Sequence, residues 1–86
     1  MIQFDLKNRT AIITGGAQGF GLDIAKKFLE FGAHVIIWDV DKKELEKAVK
    51  EINNDKLSFN IVDVSDFDEV DKTVKQIIKS TNIDIL

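Results

Sequence analysis

Residues 14–21 read TGGAQGFG and hold four of the chain's five glycines. They follow Thr10-Ala11-Ile12-Ile13-Thr14, a short apolar, β-branched run with Lys7-Asn8-Arg9 before it, which has the composition of a strand buried on both faces. Beyond the glycines, Gly21, Ile24, Ala25, Phe28 and Leu29 recur at helical spacing, with Asp23, Lys26, Lys27 and Glu30 on the opposite face and Gly32 where a C-terminal cap belongs. A glycine cluster alone predicts only a flexible turn. Between a buried strand and an amphipathic helix it predicts more, because backbone N–H groups at a helix start face outward and the helix dipole favours an anion such as a pyrophosphate. Without side chains, such a loop lets phosphate approach the backbone closely.

The same alternation continues outward. Val35-Ile36-Ile37-Trp38 is a second unbroken apolar run suited to a strand. Asp41 with Glu44 marks a helix start, and Leu45, Ala48, Val49 and Ile52 keep one apolar stripe until Asn53-Asn54-Asp55 ends it. Leu57, Phe59 and Ile61 alternate with Ser58 and Asn60, the pattern of a strand at a sheet edge. Ser65 with Asp68 predicts the cap of a third helix whose stripe is Phe67, Val70, Val74, Ile77 and Ile78. Ile83-Asp84-Ile85-Leu86 reads as the opening of a fourth buried strand. Strand and helix in strict alternation predict an α/β fold: a parallel, doubly wound sheet of order 3-2-1-4, with right-handed crossovers and the third strand at the edge.

Composition narrows the function. The 86 residues, 44% hydrophobic and 31% charged, suit one small globular domain. Lys and Arg number 12 against 15 Asp and Glu, a net charge of -3 with the signs interspersed, so neither a nucleic acid nor a membrane is expected as a partner. There is no cysteine and His34 is the single histidine, which argues against a metal site and leaves His34 as a surface residue. No apolar run approaches the roughly 20 residues of a membrane span, and the start MIQFDLKNR lacks a secretion signal, so a cytoplasmic location is expected.

The generic dinucleotide pattern G-x-G-x-x-G is absent; Thr14, Gly15, Gly19 and Gly21 instead give T-G-x-x-x-G-x-G. That motif resembles the cofactor loop of the short-chain dehydrogenases/reductases, and the stretch LKNRTAIITGGAQGFGLDIAKKF resembles their single-domain members, with a looser similarity to oxoacyl-carrier-protein reductases. The resemblance implies a Rossmann-type fold over residues 1–86 and a dinucleotide held at Gly15, Gln18, Gly19, Phe20 and Gly21. Phe20 stands where the family usually has a smaller aliphatic residue.

Two further elements stand in register. A dinucleotide site calls for an acid at the end of the second strand, about 20 residues past the glycines, to bind the ribose hydroxyls. Asp39 occupies that place, and Asp41 suits a helix cap better. A carboxylate there repels a 2′-phosphate, and Gln18 and Val40 stand where NADP-preferring relatives often carry a base, so NAD is expected over NADP. Asp63-Val64 matches the pair that in the family lies against adenine. Trp38 is expected to be core more than a wall of that site.

The family's chemistry uses a tyrosine, a lysine and a serine beside the nicotinamide, and the chain contains no tyrosine. Ser58, Ser65 and Ser80 lie in other segments than the family's catalytic serine, so the resemblance assigns no catalytic residue. The chain then reads as the cofactor-binding first part of an oxidoreductase acting on a small alcohol or carbonyl substrate, inactive by itself and a homo-oligomer when complete. The alternatives are a non-catalytic nucleotide-binding or partner-docking module, and a structural domain without ligand. A fragment of this kind is also expected to leave part of its sheet uncovered.

Overall fold

The computed structural model of the chain describes residues 9–17 and 19–80. Three strands, β1 (Thr10–Thr14), β2 (His34–Asp39) and β3 (Leu57–Ile61), alternate with three helices, α1 (Gly19–Glu30), α2 (Lys42–Ile52) and α3 (Phe67–Ser80). The strands form one parallel sheet in the order β1-β2-β3. This is the α/β arrangement expected from the sequence. The fourth strand expected at residues 83–86, and with it the full order 3-2-1-4, lies outside the described residues.

Strand periodicity divides the apolar residues between two faces. Val35, Ile37 and Leu57 enter one core with Ala25 and Leu29 of α1 and Leu45 and Ala48 of α2. Ile12, Trp38 and Val62 form a second core on the other face, against Val70, Val74 and Ile77 of α3. The central strand carries both cores, since Val35, Ile37 and Trp38 alternate along it and all are buried. That double burial is the reason β2 reads as an unbroken apolar run.

Local chemistry fixes where the helices begin and end. Asp41 caps α2, its Oδ1 accepting from the Glu44 N–H at 3.2 Å. Asn53 closes the same helix in the left-handed region at φ 49° and donates its N–H to the Val49 carbonyl at 2.9 Å. At the end of α1 the Gly32 N–H donates to the Leu29 carbonyl and the Ala33 N–H to the Phe28 carbonyl, both at 3.0 Å. These two bonds are the paired closure of a Schellman cap with Gly32 as its left-handed residue.

Three local expectations are corrected. The cap of α3 is Asp66, whose Oδ1 accepts from the N–H groups of Asp68 at 3.1 Å and Glu69 at 3.2 Å. Ser65 is committed elsewhere, donating its hydroxyl to Asp63 Oδ1 at 2.6 Å. The stripe of α3 narrows to Val70, Val74 and Ile77, because Phe67 is 83% exposed and Ile78 54%. A helix of 14 residues is about 21 Å long while a strand of five spans about 17 Å, so the helix outruns the sheet it covers. Ile61 is also exposed, at the last position of a strand that has one neighbour among the described residues.

These differences are directly measurable. Leu45→Ala, at a fully buried position, should cost about 2–5 kcal/mol of unfolding free energy. Phe67→Ala should change it by less than about 0.5 kcal/mol. Urea denaturation followed by circular dichroism distinguishes the two, and equal losses would contradict the placement of α3.

Candidate functional site

The described residues that the sequence assigns to the dinucleotide follow the C-terminal ends of the strands, where the loops are fastened to β2. The Gly15 N–H donates to the Trp38 carbonyl at 2.7 Å, and the Gly16 N–H reaches the same oxygen at 3.4 Å. One residue further, the Val62 N–H donates to the Asp39 carbonyl at 3.1 Å. The β1–α1 turn and the exit from β3 are thereby tied to adjacent carbonyls of one strand. Gly15, Asp39 and the Asp63-Val64 pair share a single rim. Gln18 lies outside the described residues.

The glycines serve two different physical needs. Gly15 and Gly19 adopt φ of 65° and 62°, a left-handed backbone that other residues rarely take, and a Cβ on either would project into open space. Gly21 and Gly16 answer to packing. A Cβ on Gly21 would run into the Gly15 carbonyl oxygen, 2.9 Å from its carbon and 3.2 Å from the Gly16 Cα. One on Gly16 would lie 2.7 Å from Ile37 Cγ2 and 3.1 Å from the Ile13 carbonyl. The T-G-x-x-x-G-x-G spacing leaves Gly16 without a role; the signal for it was the surplus glycine, and its partner, Ile37, lies on another strand.

The start of α1 differs in charge from the starts of the other two helices. Its first turn carries no acidic residue, whereas α2 has Glu44 there and α3 has Asp68 and Glu69. The first N–H groups of a helix have no intrahelical acceptor and stand at the positive end of its dipole. Among the described residues, no side chain accepts from those of Gly19, Phe20 or Gly21. Phe20 is 81% exposed, so the aromatic ring stands off the loop.

Asp39, the last residue of β2, and Asp41, just beyond the strand, are held differently. Asp39 is half-buried, and its Oδ1 accepts from the N–H groups of Val40 at 2.8 Å and Asp41 at 3.3 Å, which fixes the carboxylate at the strand end. No described residue donates to its Oδ2. Asp41 is spent on the α2 cap. Asp63 is exposed and accepts at Oδ1 from both the hydroxyl and the N–H of Ser65, at 2.6 and 2.9 Å, bonds that lower its pKa from the usual 3.8. Val64 is exposed beside it. His34 is a surface residue and Trp38 a core one, as expected. Among the described residues no group of acids, cysteines or histidines could hold a metal ion, and no helix is long and apolar enough to cross a membrane.

A cavity of about 510 Å³ lies between α3 and the sheet, bordered by Thr10, His34, Ser58, Asn60 and Ile77. A second, of about 230 Å³, opens between Gly19 and the α2 residues Glu44, Lys47 and Glu51.

The family model described as short chain dehydrogenase matches residues 9–86. The chain belongs to the short-chain dehydrogenase family. It is 40% identical over 74 residues to a 3-oxoacyl-[acyl-carrier-protein] reductase of Chlamydia muridarum, covering 83% of this chain and 30% of that protein. It is 38% identical over 77 residues to 3beta-hydroxysteroid dehydrogenase 2 of Eggerthella lenta, covering 87% of this chain and 30% of the other. Among solved structures, a 3-ketoacyl-(acyl-carrier-protein) reductase from Brucella melitensis complexed with NADH superposes with a TM-score of 0.83 at 35% identity, over 94% of this chain and 34% of that one. The 2-keto-3-deoxy-D-gluconate dehydrogenase from Streptococcus agalactiae gives a TM-score of 0.86 at 28% identity, over 96% and 33%. This short-chain dehydrogenase chain thus spans about a third of the length of the relatives it matches.

Gly21→Ala should displace the start of α1, losing about 1–3 kcal/mol of stability through overpacking, whereas Phe20→Ala should be nearly silent in a thermal melt. In Ser65→Ala, the Asp63 carboxyl should titrate closer to its usual value in an NMR pH series. Because the folded pKa is the lower one, the stabilisation is present above the unfolded pKa and fades as pH falls through the folded value, so the variant should lose less stability across that acidic window.

Proposed function

We propose that the chain is the dinucleotide-binding part of an oxidoreductase that moves a hydride between NAD and an alcohol or carbonyl substrate. The observation that carries this reading is the glycine turn pinned to the Trp38 carbonyl, with the start of α1, whose first turn carries no acidic residue, and the Asp39 carboxylate at the same end of the sheet. Gly15, Gly19, Phe20 and Gly21, with Gln18 between them in sequence, hold the diphosphate through backbone N–H groups. Side chains at Gly15 and Gly19 would fill the open space in front of the loop, so the residues present fit a phosphate that approaches the backbone. The bound dinucleotide supplies hydride transfer at its nicotinamide end.

Asp39 accepts the adenosine ribose hydroxyls at Oδ2, with its other oxygen already fixed by two backbone N–H groups. That geometry favours NAD, since a 2′-phosphate would meet a held carboxylate, and Val40 offers no compensating charge. Asp63 and Val64 lie against the adenine, Val64 by apolar contact and Asp63 by the acceptor that Ser65 leaves over. Support for a dinucleotide comes also from the related Brucella melitensis reductase, which was crystallised with NADH. The complete protein, in this reading, is a homo-oligomer acting on a small alcohol or carbonyl, without nucleic acid or membrane as a partner and in the cytoplasm.

A second reading, a nucleotide-binding module without catalysis, is favoured by one observation: the chain has no tyrosine to serve as the family's proton donor. In both readings these 86 residues bind the cofactor and do not by themselves oxidise an alcohol. Calorimetric titration should show tighter binding of NAD than NADP, and Asp39→Ala should weaken NAD binding by roughly tenfold while leaving NADP little changed. Tighter binding of NADP would overturn the role of Asp39, and cofactor-dependent alcohol oxidation by the purified chain would overturn its assignment as a binding part alone.

A further inference from the structure

Trp38 connects the glycine turn to the far core. Its backbone carbonyl accepts from both Gly15 and Gly16, while its side chain is 1% exposed and packs in the core formed by Ile12 and Val62. Across the sheet, Trp38 stands opposite Thr14 on one side and Asn60 on the other. Indole carries a single polar group, a donor, and burying it without a partner is costly. The partner is the Asn60 side chain, whose Oδ1 accepts from Trp38 Nε1 at 3.2 Å. Asn60 lies in an edge strand, borders the 510 Å³ cavity and has no place in the glycine motif or the acid pair.

We propose that Asn60 is a positioning residue for the dinucleotide turn, acting through Trp38. Directly opposed residues of neighbouring strands hold each other's side-chain conformation, and here that hold fixes the indole of the very residue whose carbonyl anchors the turn. Losing the acceptor leaves the part-buried Trp38 N–H without its side-chain partner. The cheapest relief is a rotation of the indole toward the cavity beside Asn60. That rotation carries the Trp38 peptide with it and loosens the two N–H bonds from Gly15 and Gly16, so the backbone cradle opens while the rest of the sheet stays paired. The consequence for cofactor binding rests on the function proposed above; the consequence for the turn does not.

Amide hydrogen exchange by NMR on the chain separates the two. In Asn60→Leu, which places its side chain against open cavity space, protection of the Gly15 amide should fall by roughly tenfold relative to that of the Ile37 amide in the same sheet. Asn60→Asp retains an acceptor and should restore the wild-type ratio. In a Trp38→Phe background, which removes the donor, Asn60→Leu should have no further effect on that ratio. NAD affinity should follow the same order across the variants. An unchanged ratio in Asn60→Leu, an equal loss at Gly15 and Ile37, or failure of Asn60→Asp to rescue would overturn the proposal. A wild-type chain that does not bind NAD would instead strike at the proposed function, with the exchange ratios still deciding the role of Asn60.

Discussion

The fold turns on the missing side chain at Gly21. Only a residue without a Cβ can bring the first turn of α1 down onto the Gly15 carbonyl, and that contact sets where the helix starts relative to the strand before it. From there α1 lies across the face of β2, with Ala25 and Leu29 buried against Val35 and Ile37. The second tight glycine, Gly16, lets the turn itself settle on Ile37, so turn, helix and central strand are pressed together at one corner. A bulkier residue at either place would lift the helix start from the strand end. The first N–H groups of α1 would then shift away from the strand ends, and the rim would lose its geometry before it lost its residues.

Sequence periodicity made most of this legible. The order of elements, the cap at Asp41, the closure at Gly32 and the buried stripes of α1 and α2 follow from local rules, because each depends on residues within one or two turns of one another. Asp39 could be singled out as the acid at the end of an apolar run, whereas Asp63 was singled out through the resemblance of Asp63-Val64 to the family's pair. What stayed hidden depends on partners far along the chain. Gly16 looks like a spare glycine until Ile37 lies against it, and Asn60 looks like the polar half of an alternating strand until Trp38 is placed opposite. Between the adjacent residues Ser65 and Asp66, the pattern S-x-x-D pointed to the wrong one. Asp63 had already taken the serine hydroxyl, a competition that spacing alone does not reveal.

The rim is built mostly from main-chain groups, and this shapes how sequence can vary around it. Carbonyls of Trp38 and Asp39 and N–H groups of Gly15, Gly16 and Val62 hold three loops together, and any residue other than proline can supply such groups. Side-chain identity is then constrained at few points: where a Cβ cannot fit, where φ is positive, and where a carboxylate must stand with one oxygen uncommitted. The acids illustrate the last constraint. Asp41 and Asp66 each spend an oxygen on helix N–H groups and so build the scaffold, whereas Asp39 and Asp63 use one oxygen to fix their own turns. An acid of the first kind aligns a helix, and one of the second kind fixes the turn that follows its strand. The chain places two of the second kind on the rim of the glycine turn and two of the first kind at the starts of the following helices. Backbone satisfaction therefore accounts for one carboxylate oxygen of each of the four acids, in a helix cap for two of them and in the acid's own turn for the other two.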